Sequence, residues 1–323
     1  MRKRALLIGG LLTCGGLIGF VGIQGRLTQP FQSLITSDKS LLSPEVTPDN
    51  TVPDLIGDTP DLIGRSLRMT IGLTTEDAMV KLANSFLGKS YNAFSLDQKN
   101  KEQLRLDLSS FDCFLFVEQL LALSQSRTEI DFVNRVRLMR YRDGNIDYCT
   151  RFHYFTQWAK HGVAKGWIED ITPSLKGSTS RKIQLNFMSR NPENYLPMMQ
   201  KRNVNCIRTQ ESGYQTQQSY LPLASMPINL NLLRSGDIVG LVTQEQGLDV
   251  THTGILQRVP DGVNLIHAVP RLGVIRSRDF IRYVSSLADV VGISVYRPVT
   301  VEESNRQSMT TSDIALNLLP YFH

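Results

Sequence analysis

VTHTGILQRVPDGVNLIHAVP, residues 250–270, reads as two strands joined by one tight turn. Val259-Pro-Asp-Gly262 has Pro at the second position and Gly at the fourth, which suits a type I turn between antiparallel strands. The turn pairs Val259 with Gly262, and this register sets His252 opposite Val269 and His267 opposite Gly254. Residues 252 and 254 share a face, so both imidazoles project from one side of the hairpin as diagonal neighbours. Gly254 leaves room beside His267. A slip of one residue would send the rings to opposite faces.

Segments of the same kind flank the hairpin. GDIVGLVT (236–243) and VGISVYRPV (291–299) are short, rich in β-branched residues and bounded by Gly, Asp or Pro, the pattern of an antiparallel sheet. Upstream the period changes. In LTTEDAMVKLANSFLGKSY (73–91), Thr74 or Thr75 caps a helix whose Met79, Leu82, Ala83 and Phe86 share a face, and Gly88 ends it. EIDFVNRVRLMRY (129–141) and RFHYFTQWAKHGVAKGW (151–167) read as further helices. Helices early and strands late predict an α+β fold.

Between them, SSFDCFLFVEQLLALS (109–124) opens a nearly all-apolar helix with a thiol. With Ser110 as N-cap, Phe111, Asp112 and Cys113 would occupy the first turn, where free N–H groups and the helix dipole favour an anion. A thiol there ionises readily, as a nucleophile requires. A small buried hydrophobe is the plainer use of a cysteine; the two histidines on one hairpin face supply the base that makes the nucleophile the sharper reading.

The chain has 323 residues with 41% hydrophobic and 20% charged residues, enough to bury a sizeable core. Arg2, Lys3 and Arg4 supply three of the net +5 charges, which leaves 5 − 3 = +2 elsewhere and no case for a nucleic-acid partner. The opening MRKRALLIGGLLTCGGLIGFVG has a basic start and an apolar run, so residues 1–23 are expected to be a signal peptide or membrane anchor and the protein to be exported to the periplasm or cell envelope. Cys14 stands where a lipoprotein carries its lipid. Of the remaining Cys113, Cys149 and Cys206, one must be unpaired; Cys149 and Cys206 could bridge or both be buried thiols. Residues 24–71, rich in Pro, Ser, Thr, Asp and Gly, are expected to form a flexible arm. The folded unit is expected over 72–300, with 170–235 as an insertion and 301–323 as a tail.

DCFLFVEQLLAL, followed far downstream by GDIVGLVT, LDVTHTGIL and LIHAVP, resembles the N-acetylmuramoyl-L-alanine amidase-like family of the NlpC/P60 superfamily of papain-like cysteine hydrolases, over roughly residues 72–298. The resemblance implies a papain-like fold in which the nucleophile helix packs on the sheet that carries the histidines. It implies Cys113 as nucleophile, His252 as base and His267 as the residue that orients it. Asp112 and, through FLGKSY and RFHYFTQW, Tyr91, His153 and Tyr154 become candidates for substrate contact, with Trp158 closer to core packing. Where the family has small hydroxyl residues after the nucleophile, this chain has Phe114 and Leu115, which bears on specificity. Glu118, a buried acid, is expected to take a structural partner.

The activity so implied is hydrolysis of the bond between N-acetylmuramic acid and L-alanine in peptidoglycan or muropeptides. No cofactor is called for, and no metal, since no H-E-x-x-H or comparable ligand spacing occurs. The alternatives are a D,L-endopeptidase of the stem peptide, a non-catalytic wall-binding protein on the same fold, and a lipid acyltransferase.

Overall fold

The computed structural model describes residues 52–300. The expected leader at 1–23, the first part of the expected arm and the tail at 301–323 lie outside the described residues. The first half contains β1 (Asp54–Leu55), α1 (Thr59–Met69), α2 (Thr75–Ser85), β2 (Ser90–Tyr91), β3 (Arg105–Leu106), β4 (Ser110–Phe111), α3 (Cys113–Ser124), α4 (Glu129–Arg140) and α5 (Phe155–Ala164). Then come β5 (Ile168–Asp170), β6 (Thr179–Gln184), α6 (Phe187–Arg190), α7 (Lys201–Gly213) and β7 (Gln215–Pro222). The last part is β8 (Ile238–Thr243), β9 (Val250–Val259), β10 (Gly262–Val269), β11 (Gly273–Ser277), α8 (Phe280–Ser285) and β12 (Val290–Pro298). Among the described residues no helix is long and apolar enough to cross a membrane.

The mixed α+β architecture rests on an antiparallel sheet in the order β11-β10-β9-β8-β12-β7-β6, with β5 also paired to β12. The hairpin has the register its turn dictates: Val259 pairs with Gly262, and the ladder continues to Ile255 and Ile266. Two strands that close it, β7 and β6, come from the segment read as an irregular insertion. That segment also holds α6 and α7 around a small core of Tyr148, Tyr154, Leu185, Phe187, Tyr195 and Ile207.

The helix α2 forms as its spacing predicts. Thr74 accepts a hydrogen bond from the Asp77 N–H at 3.2 Å, and Met79, Leu82, Ala83 and Phe86 are all buried. The helix α3 is buried on nearly every side, the condition of a helix at the centre of a domain rather than on its surface. Each large apolar side chain it buries is worth about 1.5–3 kcal/mol. Glu118 lies in this apolar setting at 0% exposure. Arg140 answers it from α4, donating from Nε to Oε2 at 3.0 Å and from Nη1 to the Arg105 carbonyl at 2.6 Å.

Three local expectations are corrected. The arm is not wholly an arm: β1 pairs in parallel with β3, and α1 buries Ile63 and Leu67. The pentapeptide Pro-Asp-Leu-Ile-Gly occurs twice, at 53–57 and 60–64. The first copy contributes a strand and the second lies within α1, so tertiary pairing rather than local composition decides the outcome. Ser110 does not cap α3. Its hydroxyl donates to Asp107 at 2.6 Å and accepts from Asn92 at 3.2 Å, and Ser110–Phe111 pair with Ser90–Tyr91. Asp112 takes the cap instead, accepting from the Leu115 N–H at 2.7 Å, which makes Cys113 the first helical residue. Finally, α5 begins only at Phe155, so Arg151 to Tyr154 stay outside the helix.

Candidate functional site

Cys113 reaches its position because the parallel pairing of β4 with β2 delivers the chain to α3 and the Asp112 cap turns it into the helix. Its side chain is nearly enclosed at 1% exposure, yet it borders a cavity of about 170 Å³ that His252 also borders. Cys113 is disulfide-bonded in the structure, so the chemistry of its thiol belongs to the reduced chain.

The imidazoles lie side by side. His252 Nε2 is 2.6 Å from His267 Nδ1, and His267 Nε2 is 2.8 Å from the Ser277 hydroxyl on β11. The His267 ring is fully buried and packs edge-on against Tyr283 of α8 at 4.8 Å. Gly254 makes this possible: a Cβ there would stand 2.9 Å from the His267 Cβ. The partner strand adds a refinement. Leu241 pairs with His252 but Val242 pairs with Val250, so Thr251 is an extra residue on β9. Such a bulge re-aims the adjoining side chains.

Two protonation patterns satisfy both contacts, because the Ser277 hydroxyl can donate as well as accept; the one that suits a base at His252 runs outward from it. A proton on His252 Nε2 is donated to His267 Nδ1, and a proton on His267 Nε2 is donated to Ser277. That pattern leaves His252 Nδ1 as an acceptor. Burial pushes His252 down to about 4 and, with the neighbouring His252, holds His267 well below the usual imidazole range. Both rings are therefore neutral near pH 7. Desolvation pushes Asp112 up to about 6, against the hydrogen bond from Leu115 and with a further upward push from Glu118.

The other expected residues divide. Asp112 borders the cavity while it caps α3. His153 and Tyr154 border it too, but their polar atoms are engaged elsewhere. His153 Nε2 lies 2.7 Å from the Tyr148 carbonyl and burial pushes it down to about 3. The Tyr154 hydroxyl donates to Glu211 at 2.5 Å and accepts from the Met188 N–H at 3.0 Å. Tyr91 is not among the residues that border the cavity; it sits beside Phe111 on β2, with its phenol raised by burial and then by Asp112. Trp158 packs edge-on against Phe114 in the core at 5.4 Å.

Sequence reasoning missed the far wall, formed by Phe94, Phe187, Met188 and Tyr195. It also missed Arg151, which is held by Asp97 and Glu102, and Asp249, which accepts from the Thr156 N–H at 2.6 Å and hydroxyl at 2.7 Å. Arg151 stood in the quoted RFHYFTQW segment, and its acid partners lie too far along the chain for spacing to reveal.

The family model for AmiA-like, N-acetylmuramoyl-L-alanine amidase-like proteins matches residues 81–293. No curated protein matches the chain. Among solved structures, an N-acetylmuramoyl-L-alanine amidase from Bacteroides uniformis is 27% identical, with a TM-score of 0.66 over 70% of this chain and 99% of that one. A Bacteroides fragilis protein, provisionally described as a xylanase, is 31% identical, with a TM-score of 0.63 over 67% of this chain and 99% of that one. A Legionella pneumophila protein at 16% identity and a TM-score of 0.63 shares the fold, over 75% of this chain and 95% of that one.

Proposed function

Because the chain belongs to the AmiA-like, N-acetylmuramoyl-L-alanine amidase-like family, we propose that it is a cell-wall hydrolase in which Cys113, His252 and His267 cleave the N-acetylmuramoyl-L-alanine amide of peptidoglycan or its fragments. The observation that carries the reading is the chain of contacts from His252 through His267 to Ser277, which begins at an imidazole bordering the same cavity as Cys113. We read the arrangement as that of the NlpC/P60, papain-like hydrolases. On the basic and apolar opening of the chain we place the protein in the cell envelope, with the leader as a possible membrane anchor.

In the reduced chain the Cys113 thiol gives its proton to His252 Nδ1 as sulfur attacks the lactyl carbonyl carbon. The negative oxygen forms near the start of α3, where the helix dipole favours it. The imidazolium then protonates the nitrogen of L-alanine, the C–N bond breaks, and a thioester remains on Cys113. Water, deprotonated by His252, attacks the thioester; the muramic carboxylate leaves and the thiol is restored. His267 holds the His252 ring and its tautomer throughout, the part a third triad member plays.

A two-carboxylate glycosidase mechanism fits the cavity less well, because its acids are committed. Asp97 pairs with Arg151, Asp249 with Thr156, and Asp112 caps α3, whereas that mechanism needs one free acid and one free carboxylate.

Purified muropeptides incubated with the protein and a mild reductant should yield peptides with a free L-alanine amine, identified by mass spectrometry. Cleavage inside the stem peptide would replace the amidase with the D,L-endopeptidase reading. Because lowering the pH removes the proton acceptor by charging His252, the acid limb of kcat/KM should lie near pH 4, well below the 6.5 of an ordinary histidine. A limb at 6.5 would remove His252 as the base.

Gly254→Ala tests the histidine pair from outside it. The added methyl group displaces His267, and kcat should fall by about ten- to a hundredfold while circular dichroism reports a folded chain. An unchanged kcat would mean that His267 does not position His252.

A further inference from the structure

The structure assigns α7 as a brace that holds the cavity wall in its binding shape, with the Cys149–Cys206 disulfide as the principal pin. The inference rests on the reading of the cavity as the substrate site, and deepens it by naming residues that position the wall without touching the reacting atoms.

The wall begins as a stretch outside the named strands and helices, joined to the end of α4 by a single bridge of Arg151 to Tyr141, where the Phe152 N–H donates to the Arg140 carbonyl and the Arg142 N–H to the Thr150 carbonyl. Residues 147–154 run between α4 and α5, and their last four members, Arg151 to Tyr154, border the cavity. One face of α7 ties this stretch down. Arg202 donates to Asp147 at 2.8 Å. Cys206 is bonded to Cys149. The Gln210 amide donates to the Cys149 carbonyl. Positions 202, 206 and 210 follow the spacing of four that stacks side chains along one side of a helix.

Glu211, adjoining that face, reaches further. Its Oε1 accepts from the Tyr154 hydroxyl at 2.5 Å and from the Ser189 N–H at 3.2 Å, while the Tyr154 hydroxyl accepts from the Met188 N–H. The two sides of the cavity, Tyr154 on one and Phe187–Met188 on the other, are therefore joined through a single carboxylate of α7. Glu211 is 2% exposed and Cys149 and Cys206 are half-buried. The ties lie behind the wall and not in the cavity, which Glu211, Cys149 and Cys206 do not border. A wall so held is set before the ligand arrives, which spares binding the entropy of ordering it.

The test is the double variant Cys149→Ser/Cys206→Ser beside the unaltered chain, with muropeptide hydrolysis as readout and thiol counting to verify that the 149–206 bond is intact in the unaltered chain. KM should rise about tenfold, the cost of ordering a loosened wall, with kcat changed by less than about twofold. Tyr154→Phe keeps the ring and the disulfide and removes the hydroxyl bridge; its KM should rise about threefold. This second variant serves if the first does not fold.

Unchanged KM in the variants that fold overturns the brace, as does a fall in kcat at constant KM, which would place the effect on the reacting groups. If the unaltered chain hydrolyses nothing, the reading of the reaction has failed and the brace is judged by muropeptide binding to the Cys113→Ala chain with and without the disulfide. An unchanged Kd there overturns it, and a Kd raised about tenfold supports it.

Discussion

Cys113→Ala should lower kcat/KM for muropeptide hydrolysis by about five orders of magnitude and leave the affinity for the muropeptide within about twofold. The substitution removes the sulfur on which the proposed thioester would form, at a position that is 1% exposed; because Cys113 is disulfide-bonded in the structure, both proteins are compared reduced, so that loss of that bond does not enter the result. His252→Ala should fall to a similar floor. The double variant should fall no further, because the pair acts as one unit and removing either member removes the nucleophile in its reactive form. Release of free peptide, followed by chromatography in the presence of reductant, is the measurement. Activity within about tenfold of the unaltered protein in Cys113→Ala would end the cysteine mechanism. Additive losses in the double variant would mean that Cys113 and His252 do different jobs.

The largest effect on stability is expected at Arg140. Replacing it by Met leaves the Glu118 carboxyl at 0% exposure without its partner, and breaking a buried pair in this way costs about 3–5 kcal/mol. In a domain of this size that corresponds to a fall in Tm on the order of 10 °C. The double variant Glu118→Leu/Arg140→Met should recover most of the loss, since it removes the uncompensated charge together with its partner and keeps similar volume. It will not recover all of it, because the Arg105 carbonyl also loses the donor that Arg140 supplies. Chemical denaturation of the three variants decides the point. A single variant that loses less than about 1 kcal/mol would show that the carboxyl finds another partner or is protonated without cost.

The parts of the fold that the sequence made legible are those fixed by local chemistry. The Pro-Asp-Gly turn set the β9–β10 register by itself, and that register put His252 beside His267 before any long-range contact was known. The apolar spacing in α2 and the Thr74 cap were equally local. The parts that stayed hidden depend on partners distant in sequence. In the Pro- and Asp-rich stretch at 53–64 only a slight local signal, Asp58 at the N-cap and Pro60 in the first turn, marks the second copy of its pentapeptide for a helix; β3 and the core decide the rest. Ser110 had the chemistry of a cap but was already engaged by Asp107 and Asn92. The same holds in the site. The bulge at Thr251 exists only against β8, Ser277 meets His267 only because β11 returns beside β10, and the wall of Phe94, Phe187 and Tyr195 is assembled from three separate segments.

The burial of α3 on nearly every side carries a consequence for how the chain is made. Synthesis proceeds from the N-terminus, so α3 is complete long before β9 and β10, the strands that pack against it, have left the ribosome. The sheet is finished still later, since β12, the last strand described, takes a place between β8 and β7 rather than at an edge. Until then α3 is covered only by its helical neighbours α1, α2 and α4, and its sheet-facing side stays open; nascent chains in that state are prone to aggregate. The centre of this molecule is thus translated early and enclosed late, and a chain that stops short of β12 would lack an interior strand, not merely a trailing end.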